Sequence, residues 1–228
     1  MTPDRLAEDL LAYLPPSTMF DPVPADGCVH VFGREVLWVT QVRRLDVDAA
    51  RAAARERGVP RIEWWIGPSA PAGTVDELLA AGLVPDEVPT LTGMTCSAAP
   101  PAVDEVEVRP SDTAEAAEIE HAVWGGEARP QREPDPAIHL FAAVVDGRVA
   151  GVARAVDFDG GVALLGGAVL PELRGRGAYR ALVRARWEHA VARGTPLLAV
   201  QAGELSAPVL DGLGFVRRAD LSLFVDRL

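Results

Sequence analysis

The sequence predicts an α/β fold in which a mixed, mostly antiparallel sheet is flanked by helices and built as two related halves. Three observations carry this expectation. Two Asp-Gly dipeptides, Asp146-Gly147 and Asp159-Gly160, separate apolar runs as hairpin turns do. A long helical pattern then leads through Gly194 and Pro196 into an apolar strand, the β-α-β passage that converts antiparallel hairpins into a mixed sheet. Finally, a helix–Gly–x–Pro–strand unit occurs twice, with Pro60/Pro196 and Gly67/Gly203 each 136 residues apart.

The repeat is legible in the residues themselves. AAARERGVPRIEWWIG around Gly58 and EHAVARGTPLLAVQAG around Gly194 both end a helical pattern at Gly and open a strand just after Pro. Gly past the last helical turn and Pro beyond it form a stop signal. Downstream, LLAAGLVPDEVPTLTGM matches VLDGLGFVRRADLSLFV, with Gly82 and Gly214 132 residues apart. Such self-similarity suggests two copies of one α/β unit; chance likeness of two helix–strand units is the competing explanation. The small, Pro-rich stretch 97–102 reads as the linker, placing the halves at residues 1–99 and 104–228.

In the second half, Val106–Arg109 reads as a short strand, and Ser111 or Asp112 caps a helix running through Val123. Gly125 to Pro136 reads as a loop. Strands are expected at about Leu140–Val145, Arg148–Val156 and Val162–Val169, and a helix over about Gly175–Ala192. A strand Leu197–Gln201, a short helix near Ala207–Leu213 and a last strand from Phe215 complete the pattern.

Composition removes several function classes. The chain carries a net charge of -11, and its 22 basic residues are all Arg. Without Lys there is no Schiff-base chemistry and no phosphate-loop lysine. An acidic chain is a poor partner for nucleic acid. Cys28 and Cys96 lack metal-ligand spacing, so free thiols in a reducing cytoplasm and no metal are expected. The acidic N-terminus and the lack of any long apolar run predict neither a signal peptide nor membrane association.

Chemistry concentrates in Gly166–Gly194. After an apolar strand, Gly175 and Gly177 open a helix, and from Arg174 to Trp187 there are five Arg and no acid. Glycines allow close backbone approach, and the first amides of a helix lack intrahelical acceptors, so this turn reads as an anion cradle. Arg174 and Arg176 add charge where the helix dipole already favours an anion. The later arginines, Arg180, Arg184 and Arg186, read as a solvated face opposite an apolar stripe of Tyr179, Leu182, Val183, Ala190 and Val191. A dinucleotide fingerprint is rejected because Arg180 occupies its third glycine position.

The run Val169-Leu170-Pro171-Glu172-Leu173-Arg174-Gly175-Arg176-Gly177-Ala178-Tyr179 resembles the acyl-coenzyme A motif of the GNAT N-acetyltransferase superfamily, departing from it at Tyr179, where Gly or Ala is usual. Leu213-Gly214-Phe215 is similar to the family's L-G-F before its final strand. The resemblance covers the second half. The first half looks like a degenerate copy, for its corresponding loop, near Trp38–Arg44, has no glycine.

The resemblance implies an acetyl-CoA-dependent N-acetyltransferase in which an acceptor amine, on a small molecule or peptide, attacks directly. Gly167, Ala168 and Val169 would offer main-chain groups to the acyl-pantetheine arm, with the Val169 N–H at the thioester carbonyl. Arg174, Gly175, Arg176, Gly177, Ala178, Tyr179 and Arg180 would hold the pyrophosphate. The family's acidic Tyr falls at Leu210 and is not carried over. Tyr179, or Glu120 and Glu204 as bases, are the remaining catalytic candidates, each with a competing reading as a packing or solvent-exposed residue. His121 shares the position of Glu120, while His139 and His189 read as surface or interface residues. Trp124 reads either as a wall of the acceptor site or as core. A homodimer is left open. The rival function is a non-catalytic acyl-CoA-binding regulatory module.

Overall fold

The computed structural model describes residues 1–103, 105–125 and 135–228. Asp104, where the second half was expected to begin, and residues 126–134, most of the expected loop, lie outside the described residues.

Along the chain, helix α1 (Pro3–Glu8) is followed by strands β1 (Asp21–Ala25), β2 (Cys28–Phe32) and β3 (Val36–Thr40). Next come α2 (Val47–Glu56), β4 (Arg61–Ile66), α3 (Thr74–Ala80) and β5 (Val84–Cys96). Then β6 (Glu107–Pro110), α4 (Thr113–Trp124), β7 (Ile138–Val145), β8 (Arg148–Phe158) and β9 (Gly161–Val169) lead into α5 (Ala178–Ala192). The chain ends with β10 (Leu198–Ala202), α6 (Ala207–Asp211) and β11 (Val216–Arg227). The expected mixed, mostly antiparallel sheet with flanking helices is present, the parallel pairs being β3 with β4 and β9 with β10.

The chain forms two compact units. The first comprises Met1–Thr95, Val200–Pro208 and Val216–Leu228; the second comprises Cys96–Ala199 and Val209–Phe215. The break between Thr95 and Cys96 lies just ahead of the expected linker. However, the last strand, which the sequence reading placed in the second half, belongs to the first unit. There β11 is inserted between β4 and β5, pairing antiparallel with Arg61–Ile66 on one edge and with β5 on the other. Sequence distance does not oppose this pairing, because an exposed strand edge is satisfied by whichever segment completes its hydrogen-bond ladder.

In the first unit, neighbouring strands run β1-β2-β3-β4-β11-β5. Its core packs Leu37, Val39, Ile62 and Trp64 of the sheet against Ala50 and Ala54 of α2 and Leu78 of α3. Thr2 caps α1, accepting from Arg5 N at 3.3 Å, and Asp46 caps α2, accepting from Ala49 N at 2.9 Å.

In the second unit the start of β10 (Leu198 and Ala199) leads the order β10-β9-β8-β7-β6. The β7–β8 hairpin turns at Asp146-Gly147 with both φ positive (51° and 73°), the signature of a type I′ turn. Asp112, rather than Ser111, caps α4, accepting from Ala114 N and Glu115 N at 2.9 and 2.8 Å. One sheet face packs on α5 through Ala143, Ala153, Ala178, Ala181 and Leu182, and the other on α4 through Ala116, Ile119, Ala142 and Val152. α5 begins three residues later than expected, because Pro171–Leu173 forms a separate 3-10 turn and Gly175 and Gly177 both take left-handed φ. Two members of the expected faces of α5 exchange places: Arg186 is buried, and Val191 is half exposed.

Candidate active site

The site is built on the end of β9. Val152 and Arg154 of β8 pair with Ala168 and Leu165, so Gly166 and Gly167 together face one residue, Ala153, in a β-bulge. Gly166 has φ +54°, and a Cβ there would lie 2.7 Å from Arg154 Nη1. A Cβ on Gly167 would meet the Tyr179 ring at 3.0 Å, yet the Gly167 backbone is itself exposed. The register between β9 and β10 holds only Leu198 with Val162 and Ala199 with Ala163, leaving Leu164–Val169, among the described residues, without ladder partners on that edge. Leu170 N donates to Ala150 O on β8 at 2.9 Å. Strand alternation therefore turns the Val169 N–H toward the open edge.

Beyond the 3-10 turn, the loop delivers α5 with Gly177 as its N-cap and no side-chain cap. Among the described residues, the amides of Gly175, Gly177 and Ala178 have no backbone acceptor. A Cβ at Gly175 would meet nothing within 4 Å, whereas one at Gly177 would come within 3.1 Å of Val103. Arg174, Arg176 and Arg180 are exposed around this turn, and there is no acid in the first turn of α5. Arg174 Nε donates to Val169 O at 3.2 Å, tying the loop to the strand end, and Arg176 pairs with Asp146 at 2.7 Å on the surface. Free amides, an uncapped helix dipole and three arginines around an open glycine suit a phosphate-bearing group.

Thus Gly167, Ala168, Val169, Arg174, Gly175, Arg176, Gly177, Ala178, Tyr179 and Arg180 are brought together along one strand end and loop. The proton-transfer candidates are not. Glu204 is exposed in the turn after β10, within the first unit. Glu120 is 4% exposed rather than solvent-facing, and both its oxygens are engaged by Arg154, one at 2.9 Å. Burial lowers the Arg154 pKa from its ordinary value. This ion pair lies against the Gly166 bulge. Leu210 is fully buried, Trp124 is about half exposed and not core, and His121 is exposed.

Sequence reasoning missed two residues here. Arg154 interrupts an otherwise apolar strand, and that charge within GVARAV was the available signal. Arg186 is fully enclosed: its Nε donates to Leu182 O at 3.0 Å and its Nη1 to Arg154 O at 3.2 Å. Its Nη2 has no partner among the described residues. Burial, opposed in part by Tyr179 two turns earlier on the same helix, pulls its pKa down to about 10. Helical periodicity had put Arg186 on the wet side; packing of α5 on the sheet decided otherwise.

Comparison with known proteins gives the geometry a family. Residues 106–211 match the family described as Acetyltransferase (GNAT) family. No curated protein matches the chain. Among solved structures, it is similar to a GCN5-related N-acetyltransferase from Kribbella flavida, with 18% identity, TM-score 0.70, and 98% of this chain and 95% of that one covered. A GCN5-related N-acetyltransferase from Sphaerobacter thermophilus aligns with 15% identity and TM-score 0.60 over 88% and 80% of the two chains. A tandem GNAT protein from the clavulanic acid biosynthesis pathway aligns with 16% identity and TM-score 0.54 over 99% and 87%. At such identities these likenesses concern the fold. The family match, the motif and the geometry of the strand end and loop agree: residues 106–211 are similar to the GNAT acetyltransferase family.

Proposed function

We propose that the protein is an acetyl-CoA-dependent N-acetyltransferase acting by direct attack of an acceptor amine, and that its first unit is a degenerate second copy of the same fold. The observation that carries this reading is the uncapped start of α5, with unpaired amides beside exposed arginines, next to a β9 edge whose ladder stops at Ala163. In this reading the Gly175–Arg180 segment holds the pyrophosphate, and Gly167–Val169 lie along the pantetheine arm. The Val169 N–H, on the open edge, donates to the thioester carbonyl oxygen as charge develops there. Rate enhancement then rests chiefly on positioning and on that donor.

The Glu120–Arg154 pair assigns those residues to supporting the bulge, since a carboxylate held by a guanidinium is a weak base. Glu204 and Tyr179 remain proton-transfer candidates. A small cationic amine is the expected acceptor, because the chain's charge of -11 favours capture of cations. Among the described residues, no helix is long and apolar enough to cross a membrane; a cytoplasmic location is part of the proposal.

A second reading, an acyl-CoA-binding module without turnover, is favoured by two observations. Leu210 is buried where the family often has its acidic Tyr, and Glu120 is engaged by Arg154. Calorimetry with acetyl-CoA, followed by thiol-release assays over a panel of amines, separates the two. Binding with turnover on some amine is expected. Binding without turnover on any amine selects the module, and the absence of binding overturns both.

A further inference from the structure

At the far end of α5 lies a cluster that the acetyl-transfer reading does not use. His139 on β7, Asp157 on β8 and His189 in the last turn of α5 converge on the sheet face covered by that helix. His139 Nε2 lies 2.9 Å from one Asp157 oxygen, and His189 Nε2 lies 2.8 Å from the other. The two imidazole rings are 4.2 Å apart between centroids, and Phe141 meets the His189 ring edge-on at 6.2 Å. The ligand atoms of the three residues all lie within 4.8 Å of one another. Both histidines retain access to solvent, at 36% and 20% side-chain exposure.

We propose that His139, Asp157 and His189 form a binding site for a divalent cation of the zinc class. Two imidazoles and one carboxylate are the donor set that such borderline first-row cations prefer. Bond lengths of about 2.0–2.2 Å place neighbouring ligand atoms roughly 3–3.5 Å apart, so only a small closure of the present cluster is required. Three protein ligands on one side leave the solvent side for water. The ligands come from three different elements, so a bound ion ties the last turn of α5 to β7 and β8. The sequence signalled no metal because the separations of 18 and 32 residues around Asp157 follow no local ligand spacing. The strands and the helix supply the convergence.

One residue opposes the ion. Arg193 Nε lies 2.9 Å from Asp157 Oδ2, placing a fixed cation beside the carboxylate. Its removal should therefore strengthen metal binding, an effect that a purely structural His–Asp–His cluster does not predict.

The test is titration of tag-free, chelator-treated full-length protein with Zn2+ by calorimetry, and with Co2+ by visible absorption. One equivalent is expected to bind. His139→Ala, Asp157→Asn and His189→Ala should each weaken binding at least tenfold, and Arg193→Gln should tighten it severalfold. Circular dichroism verifies the fold of each variant; should His189→Ala not fold, the strand variant His139→Ala carries the same comparison. Failure of the parent protein to bind either ion below millimolar concentration overturns the site. So does binding that survives Asp157→Asn unchanged, or that Arg193→Gln leaves unaltered.

Discussion

The two parallel crossovers, β3–α2–β4 in the first unit and β9–α5–β10 in the second, share a connectivity and differ in the details that decide whether a ligand can enter. β3 pairs with β4 from Val36 to Val39, almost its whole length, whereas β9 pairs with β10 only at Val162 and Ala163. The helix in the first crossover is capped by the carboxylate of Asp46, and that in the second starts at Gly177 with no side-chain cap. The first crossover thus fills its own anion position and keeps its strands zipped, while the second leaves amides and a strand edge free. The helices also differ in what they bury, small Ala50 and Ala54 in α2 but Arg186 beside apolar residues in α5, and the second crossover follows a bulge supported by an ion pair whose carboxylate is buried. Ligand capacity, on this comparison, follows from what a fold leaves unsatisfied.

The largest expected effect concerns that ion pair. Glu120→Ala leaves the part-buried Arg154 cation without its buried carboxylate partner and should remove up to about 3–5 kcal/mol of stability, read by denaturant unfolding. A loss confined to a few tenths would mean that the pair does not support the second crossover. Next, Gly177→Asp gives α5 the acidic N-cap that α2 already has, and should weaken acetyl-CoA binding about 100-fold, or about 2.7 kcal/mol. Gly177→Ala is its control, because it imposes the same left-handed strain and approach to Val103 without the charge. Equal losses in the two variants would detach the charge from the comparison.

Conversely, Asp46→Ala uncaps α2 and should cost about 1 kcal/mol in stability without creating acetyl-CoA affinity, since the β3–β4 ladder stays closed. Measurable binding at the first unit in this variant would show that the cap alone had blocked it. The smallest effect is a pH dependence belonging to the first unit. Burial lowers the pKa of His30, so the unfolded chain takes up a proton that the folded chain resists. This contribution is fully present above about pH 6.5 and fades as pH falls toward the lower folded value. His30→Gln should flatten that portion of the stability–pH curve; an unchanged curve would assign the slope to other groups.

Much of the second unit was legible because its signals are local. Asp146-Gly147 marked a hairpin through the φ values its turn demands, and Asp112 marked a helix start through its capping oxygen. Gly175 and Gly177 marked the loop for the same kind of reason, as their backbones adopt conformations that side chains oppose. The fate of β11 was not legible: its apolar pattern says that it is a strand, but not which open ladder accepts it. Nor were Glu120 and Arg154, 34 residues apart, or the cluster around Asp157, for pairing between distant residues exists only once the sheet has formed.

The sequence alone thus determined the elements, the glycine-rich loop before α5, the absence of lysine chemistry and the likeness between the halves, because each depends on residues within a few positions or on composition. Tertiary structure alone decided that the C-terminal strand completes the first unit. It also buried Arg186, converted Glu120 from a candidate base into the partner of Arg154, and gathered two histidines on one aspartate. These outcomes depend on which faces and edges meet, and a buried charge or an open strand edge is satisfied by whatever the fold brings within reach.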